Sequence, residues 1–184
     1  LRPESLVRSL EEAGASGTPV AVCGTAFSFV HLIEALEAQG LALRCPPGSR
    51  IMETGGFKGR SREMGPEQLY SALTRHLGVP PERIVNQYGM TELGSQFYDS
   101  VLADPGGPRR KLGPPWVRVR LIDPETGHDA PPGTPGMVVI HDLANTGSIA
   151  AIQTADLGRA ILDETGAPMG FEILGRQPGA EARG

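Results

Sequence analysis

Three short stretches hold the residue types that could do chemistry. In NQYGMTELGSQFYD, Asn86 to Asp99, a tyrosine, a glycine, a threonine and a glutamate share the five positions from Tyr88 to Glu92. A tyrosine followed by glycine can lay its ring against a flat partner, and a threonine hydroxyl can meet a phosphate. A glutamate is a hard oxygen ligand of the kind Mg²⁺ takes one or two of while keeping several waters. The same residues also suit a helix start, with Thr91 as cap and Glu92 in solvent. Both readings stand on this stretch alone.

The second stretch is ETGGFKGRS, residues 53 to 61. Gly55 and Gly56 let a backbone approach a ring or a phosphate with no Cβ in the way, and Lys58, Arg60 and Arg62 add positive charge. The glycine–lysine order does not fit the GxxxxGK[ST] phosphate loop. Taken by itself, the stretch reads as a glycine turn with solvated basic side chains. The third is IQTADLG, residues 152 to 158, read as a strand end at Asp156. An aspartate there can accept hydrogen bonds from both ribose hydroxyls of a nucleotide, although aspartate in a turn is the commoner case.

The elements that must position these residues follow from periodicity. Residues 3 to 14 read as an amphipathic helix carrying Leu6, Val7 and Leu10, and PVAVC, 19 to 23, as a buried strand. Thr25 or Ser28 can cap a helix through Phe29, Ile33 and Leu36 that ends at Gly40. RIMETGG is a second strand. Pro66 opens a helix through Leu69, Leu73 and Leu77 that Gly78 closes, and RIVNQYG is a third strand. This alternation predicts an α/β fold, a parallel sheet with helices on both faces. The strand ends bearing ETGG and YGMTE then share one edge, where ligands usually bind.

From Pro114 the pattern becomes β-rich. WVRVRLID and MVVIHDL form a hairpin with Arg118 and Arg120 in water, and further strands run from SIAAIQTADLG to EILGR around a DETGAP turn. The expected division is therefore 1–113, an α/β half with the site loops, and 114–184, a smaller antiparallel part. PGGPRRK, 105 to 111, reads as a mobile loop.

A net charge of −4 argues against a nucleic-acid surface. No apolar run approaches bilayer-spanning length, and the N-terminal LRPESLVRSLEEAG lacks a signal-peptide core, so a cytoplasmic location is the default. The start on Leu1 and the stop at Gly184 read as cuts through a longer protein. Cys23 and Cys45 form neither a disulfide framework nor a metal spacing. Cys23 is read as a buried structural thiol, Cys45 as the more exposed. His31 is read as a core or boundary residue of an apolar helix, and no role falls to His76, His128 or His141.

In this order, METGGF, the helix at 66 to 77, YGMTE, QTADLGR and EILGR resemble the adenylate-forming superfamily of acyl and aryl ligases over essentially the whole chain. GTAFSFVHLIEAL, METGGFKGRSREM and NQYGMTELGSQFYD look most like the acyl-protein synthetases. These are the bacterial fatty-acid activating components of the long-chain fatty-acid reductase that supplies aldehyde to luciferase. They are similar in turn to phenylacetate-CoA ligases.

The resemblance implies that ATP and a fatty (carboxylic) acid give an acyl-adenylate and pyrophosphate, with Mg²⁺. The acyl group then moves to a protein cysteine or, in the related ligases, to CoA. Reductase and transferase subunits are the implied partners. By the same resemblance, Gly55, Gly56 and Phe57 line the adenine and acyl side, and Tyr88, followed by Gly89, stacks on adenine. Thr91 contacts the α-phosphate and Glu92 holds Mg²⁺, the pair nearest the chemistry. Asp156 binds the ribose hydroxyls, Arg176 sits near ribose or phosphate, and Gln87 and Met90 are pocket walls. The sequence departs from the family in having no TSGTTG-like segment, Ala155 where TGD has glycine, no hinge carboxylate after LGR, and no lid lysine. The expectation is a fragment from the second half of the large domain that does not turn over alone. A non-catalytic nucleotide-binding or scaffolding module is the alternative of another class.

Overall fold

The computed structural model describes residues 3–55 and 64–179. The chain divides into two compact units, Leu1–Gln87 and Tyr88–Gly184. The change to β-rich sequence at Pro114 falls inside the second. Among the described residues no helix is long and apolar enough to cross a membrane.

In the first unit, helix α1 (Pro3–Ser16) precedes strand β1 (Ala21–Thr25), helix α2 (Ala26–Ala38), strand β2 (Arg50–Thr54), helix α3 (Pro66–Leu77) and strand β3 (Ile84–Tyr88), whose last residue, Tyr88, opens the second unit. The strands run parallel, with Val22 opposite Ile51 and Ile51 opposite Ile84. These side chains join Val7 and Leu10 of α1, Phe29 and Leu36 of α2, and Leu69, Leu73 and Leu77 of α3 in one core. Each buried aliphatic or aromatic side chain there contributes about 2 kcal/mol.

The caps are those the sequence predicts. Thr25 accepts from the Ser28 amide at 3.1 Å. Pro66 stands at the start of α3, and Gly78 closes it at φ +69°, in the left-handed region glycine enters without a Cβ penalty.

The other face of β1 corrects one expectation. Its residues alternate, so Val22 is buried while Ala21, Cys23 and Thr25 are exposed. Cys23 is exposed, and Cys45 is the more buried thiol, its ionisation pushed up by burial. His31 is likewise on the exposed side of α2, edge-on to Phe27 at 4.3 Å and 3.3 Å from the Glu34 carboxylate. His76 is the buried histidine, with Nε2 3.4 Å from Glu37.

The second unit is antiparallel. Strands β4 (Phe97–Asp99), β5 (Lys111–Leu112), β6 (Val117–Ile122), β7 (Pro135–Asp142), β8 (Ala151–Leu162) and β9 (Pro168–Arg176) lie in the order β4-β5-β9-β8-β7-β6. The predicted hairpin is β6–β7, from Val117 opposite Asp142 to Ile122 opposite Met137. Arg118 and Arg120 are exposed. Phe97, Val138, Ile140 and Phe171 form this unit's core.

The basic run at 109–111 is anchored, contrary to the mobile loop expected. Arg110 and Lys111 are only 8% and 6% exposed. The Asp99 carboxylate takes Lys111 Nζ at 2.7 Å and Arg109 Nη1 at 2.6 Å. Arg110 bonds the Asp104 carboxylate and the Met169 carbonyl.

Candidate functional site

Tyr88 ends β3, and its ring lies 6.0 Å from Phe97 and 6.3 Å, edge-on, from Phe171. Two aromatic neighbours of the core thus fix the ring, and the hydroxyl donates to Asp156 Oδ2 at 2.8 Å. Burial holds the phenol well above its ordinary ionisation range, and the negative charge and hydrogen bond of Asp156 add to this. Arg176, the last residue of β9, places Nε 3.6 Å from Asp156 Oδ1. Asp156 therefore stands between an aromatic hydroxyl and a guanidinium.

Asp156 does not end a strand, as the sequence suggests, because β8 runs through from Ala151 to Leu162. It sits in a bulge. Val139 pairs with Gln153 and Met137 with Leu157, so three β8 residues, 154 to 156, oppose Val138 alone. The Thr154 hydroxyl repairs the broken ladder, donating to the Val138 carbonyl at 2.9 Å and accepting from the Asp156 amide at 3.0 Å. Such a bulge re-aims a side chain. Here it belongs to the residue that meets Tyr88. Thr154 carries no signal in the sequence, since its role depends on a partner strand.

Thr91 and Glu92 lie in an exposed turn closed by the Leu93 amide on the Met90 carbonyl at 3.1 Å. No helix follows before β4, so the helix-cap alternative falls. Gly89 precedes the turn, and Met90 packs half-buried against the Phe97 core. The Asn145 carboxamide donates to the Glu92 carbonyl at 2.6 Å, a contact that no motif announced.

In the first unit, Gly55 follows β2 at φ +75°, and among the described residues nothing comes within 4 Å of where a Cβ would stand. Thr54 donates to the Gln87 carbonyl at 3.2 Å and also bonds the Gln87 side chain, fixing the end of β3. Just before this end, the buried Glu53 carboxylate accepts from Tyr70 at 2.9 Å and from Asn86 at 2.6 Å. Gly56, Phe57, Lys58, Arg60 and Arg62 lie outside the described residues.

Among the described residues no group of three or more His, Cys, Asp or Glu could hold a metal ion. The donor set at the turn, one exposed carboxylate beside a hydroxyl, suits a hard cation that keeps waters and shares a substrate's phosphates, and not an all-protein cage. Glu92 is the residue that would hold it.

Solved structures share this fold. The chain aligns with the apo structure of MbtA from Mycobacterium smegmatis at a TM-score of 0.57 and 20% identity, covering 95% of this chain and 31% of that one. It aligns with the ATP-bound structure of MatB from Rhodopseudomonas palustris at 0.55 and 20%, covering 96% and 33%. An open conformation of a 2-hydroxyisobutyryl-CoA ligase, in complex with 2-HIB-AMP and CoA, gives 0.59 and 17%, covering 92% and 38%. The fold is that of a part of the adenylate-forming enzymes, and the chain spans about a third of the length of the first of these structures. The family described as "Acyl-protein synthetase, LuxE" matches residues 4–184, and the chain belongs to that family. No curated protein matches the chain.

Proposed function

We propose that the protein activates a fatty acid with ATP, forming an acyl-adenylate and releasing pyrophosphate, and then passes the acyl group to a protein cysteine thiol. The carboxylate oxygen attacks the α-phosphorus, the bond to pyrophosphate breaks, and a thiolate later displaces AMP from the acyl carbon. Membership of the acyl-protein synthetase family over residues 4–184 supports this reading. The observation that carries it is the Tyr88–Asp156–Arg176 cluster, with an exposed hydroxyl and carboxylate on the turn just after Tyr88.

In this reading Tyr88 stacks on adenine, Asp156 binds the ribose hydroxyls, and Arg176 faces ribose or phosphate. Thr91 contacts the α-phosphate. Gly55, Gly56, Phe57, Gln87 and Met90 border the adenine and acyl side, with Gly89 leaving room beside the ring. Mg²⁺, held by Glu92, would supply charge to offset the phosphates as pyrophosphate leaves. A second reading, with CoA as acceptor, draws support from the CoA-bound ligase of the same fold.

The test is fatty-acid-dependent exchange of pyrophosphate into ATP by the full-length protein, repeated with Glu92→Ala and Asp156→Ala. Exchange lost in both variants is expected, and exchange retained in both removes the proposed roles. A wild-type protein with no exchange for any fatty acid would leave the non-catalytic module as the better reading. Acyl thioester on protein separates the first acceptor from acyl-CoA.

A further inference from the structure

We propose that the β7–β8 connection, residues 143–150, sets the position of the Thr91–Glu92 turn, with Asn145 as the positioning residue. What the turn does rests on the function proposed above. How it is held is read from the contacts themselves.

Thr91 and Glu92 are exposed, and among the described residues one backbone hydrogen bond closes their turn. A turn with so little of its own to hold it opens easily, whereas a group that meets a phosphate or a cation must be held by its surroundings. Two tethers do so. The Asn145 carboxamide nitrogen has two hydrogens to donate, and it meets the Glu92 carbonyl at 2.6 Å and the Ile149 carbonyl at 3.0 Å. One side chain thus closes the β7–β8 connection on itself and pins the neighbouring turn. It takes the Glu92 carbonyl and leaves the carboxylate out of the contact.

The second tether lies three residues on. Ser95 donates to the wholly buried Asp142 Oδ1 at 2.9 Å and accepts from the Trp116 indole at 3.0 Å. The same Asp142 oxygen takes the Ala144 amide at 3.0 Å, which shapes the start of the connection. Between the tethers, a Cβ on Gly94 would stand 3.5 Å from the Ala144 carbonyl carbon, so the two loops are in van der Waals reach. Asp142 Oδ2 is buried with no hydrogen-bond partner among the described residues. Groups left so are uncommon and costly. A buried carboxylate is kept here even though only the turn-holding oxygen is bonded.

The experiment compares the full-length wild type with Asn145→Ala and Asn145→Asp, with Thr146→Ala, an exposed neighbour, as control. Amide hydrogen exchange over residues 90–95 without ligand should quicken roughly tenfold in both Asn145 variants, since the lost bonds govern local opening. The Mg²⁺ concentration for half-maximal pyrophosphate exchange should rise roughly ten- to a hundredfold. KM for the fatty acid and the control should hold, and the unfolding midpoint should fall by no more than that tenfold accounts for. Unchanged amide exchange at 90–95 overturns the proposal whatever the activity. So does faster exchange with an unmoved Mg²⁺ requirement. If the wild type shows no pyrophosphate exchange, the functional reading fails and the amide exchange still decides the positioning.

Discussion

Tyr88 and Asp156, 68 residues apart, are joined by a 2.8 Å hydrogen bond from phenol to carboxylate. Both residues lie in the second unit, Asp156 at the bulge in β8, and the neighbouring Phe97 and Phe171 keep the ring from swinging away. Tyr88→Phe keeps the ring and removes only the hydroxyl. It should cost about 1 kcal/mol of stability. Tyr88→Ala also loses the aromatic contacts and should cost about 3 kcal/mol or more. Urea unfolding measures both. Calorimetric titration of a non-hydrolysable acyl-AMP analogue should show binding retained in Tyr88→Phe and lost in Tyr88→Ala. Equal losses in the two would assign the work to the hydroxyl and not to the ring.

The same bond gives a pH dependence with a defined sign. Burial, then the Asp156 charge and hydrogen bond, raise the folded-state pKa of Tyr88 above the unfolded one. The neutral phenol is favoured in the folded state. Its stability contribution is full below pH about 10 and is lost as the pH climbs from there toward the folded value. Wild type should lose stability relative to Tyr88→Phe by about 1.4 kcal/mol per pH unit above pH 10, read from urea midpoints between pH 9 and 11. A constant difference across that range would mean that Tyr88 ionises as freely folded as unfolded.

Much of this arrangement is legible in the sequence, and the parts that are not share a cause. The caps at Thr25 and Gly78 and the β6–β7 hairpin are local, so a few neighbouring residues specify them. Asp156 is legible as a residue before a glycine, but its bulge depends on Val138 in another strand. The run PVAVC reads as buried because it is apolar, yet only one side of β1 meets the core. His31 sits in a helix so apolar that its sequence does not say which side faces out. PGGPRRK reads as a mobile loop because the carboxylates that hold its basic residues, Asp99 and Asp104, lie outside the run. Asn145 carries no signal at all, since a lone asparagine after an apolar strand reads as a turn.

The two thiols should report the reversed burial directly. Cys23 is exposed on β1, while Cys45 is partly covered and its thiol resists ionisation because of burial. Thiolate is the reactive form, so iodoacetamide at pH 8 should modify Cys23 first and Cys45 at least roughly tenfold more slowly. Mass spectrometry of the two peptides follows each rate. Faster labelling of Cys45 would restore the burial order that the sequence suggests.

The anchored basic run makes the strongest stability prediction. Asp99 and Lys111 face each other across β4 and β5 as register partners, and both are buried, at 7% and 6% exposure. A buried ion pair can be close to neutral as a whole, because desolvation offsets attraction. Removing one partner exposes the cost of the other's burial. Asp99→Asn takes from Lys111 its carboxylate at 2.7 Å and from Arg109 its partner at 2.6 Å. It should therefore destabilise by about 3 kcal/mol or more. Lys111→Met should cost less, since Arg109 is half-exposed and stays beside Asp99. Combining Asp99→Asn with Lys111→Met should recover part of the loss of Asp99→Asn, a coupling that a double-mutant cycle reads directly. Urea midpoints at constant m-value would carry the result. Additive losses, or a cost for Asp99→Asn below about 1 kcal/mol, would mean that the pair behaves like an exposed surface bridge and that the run is as loosely held as its composition suggests.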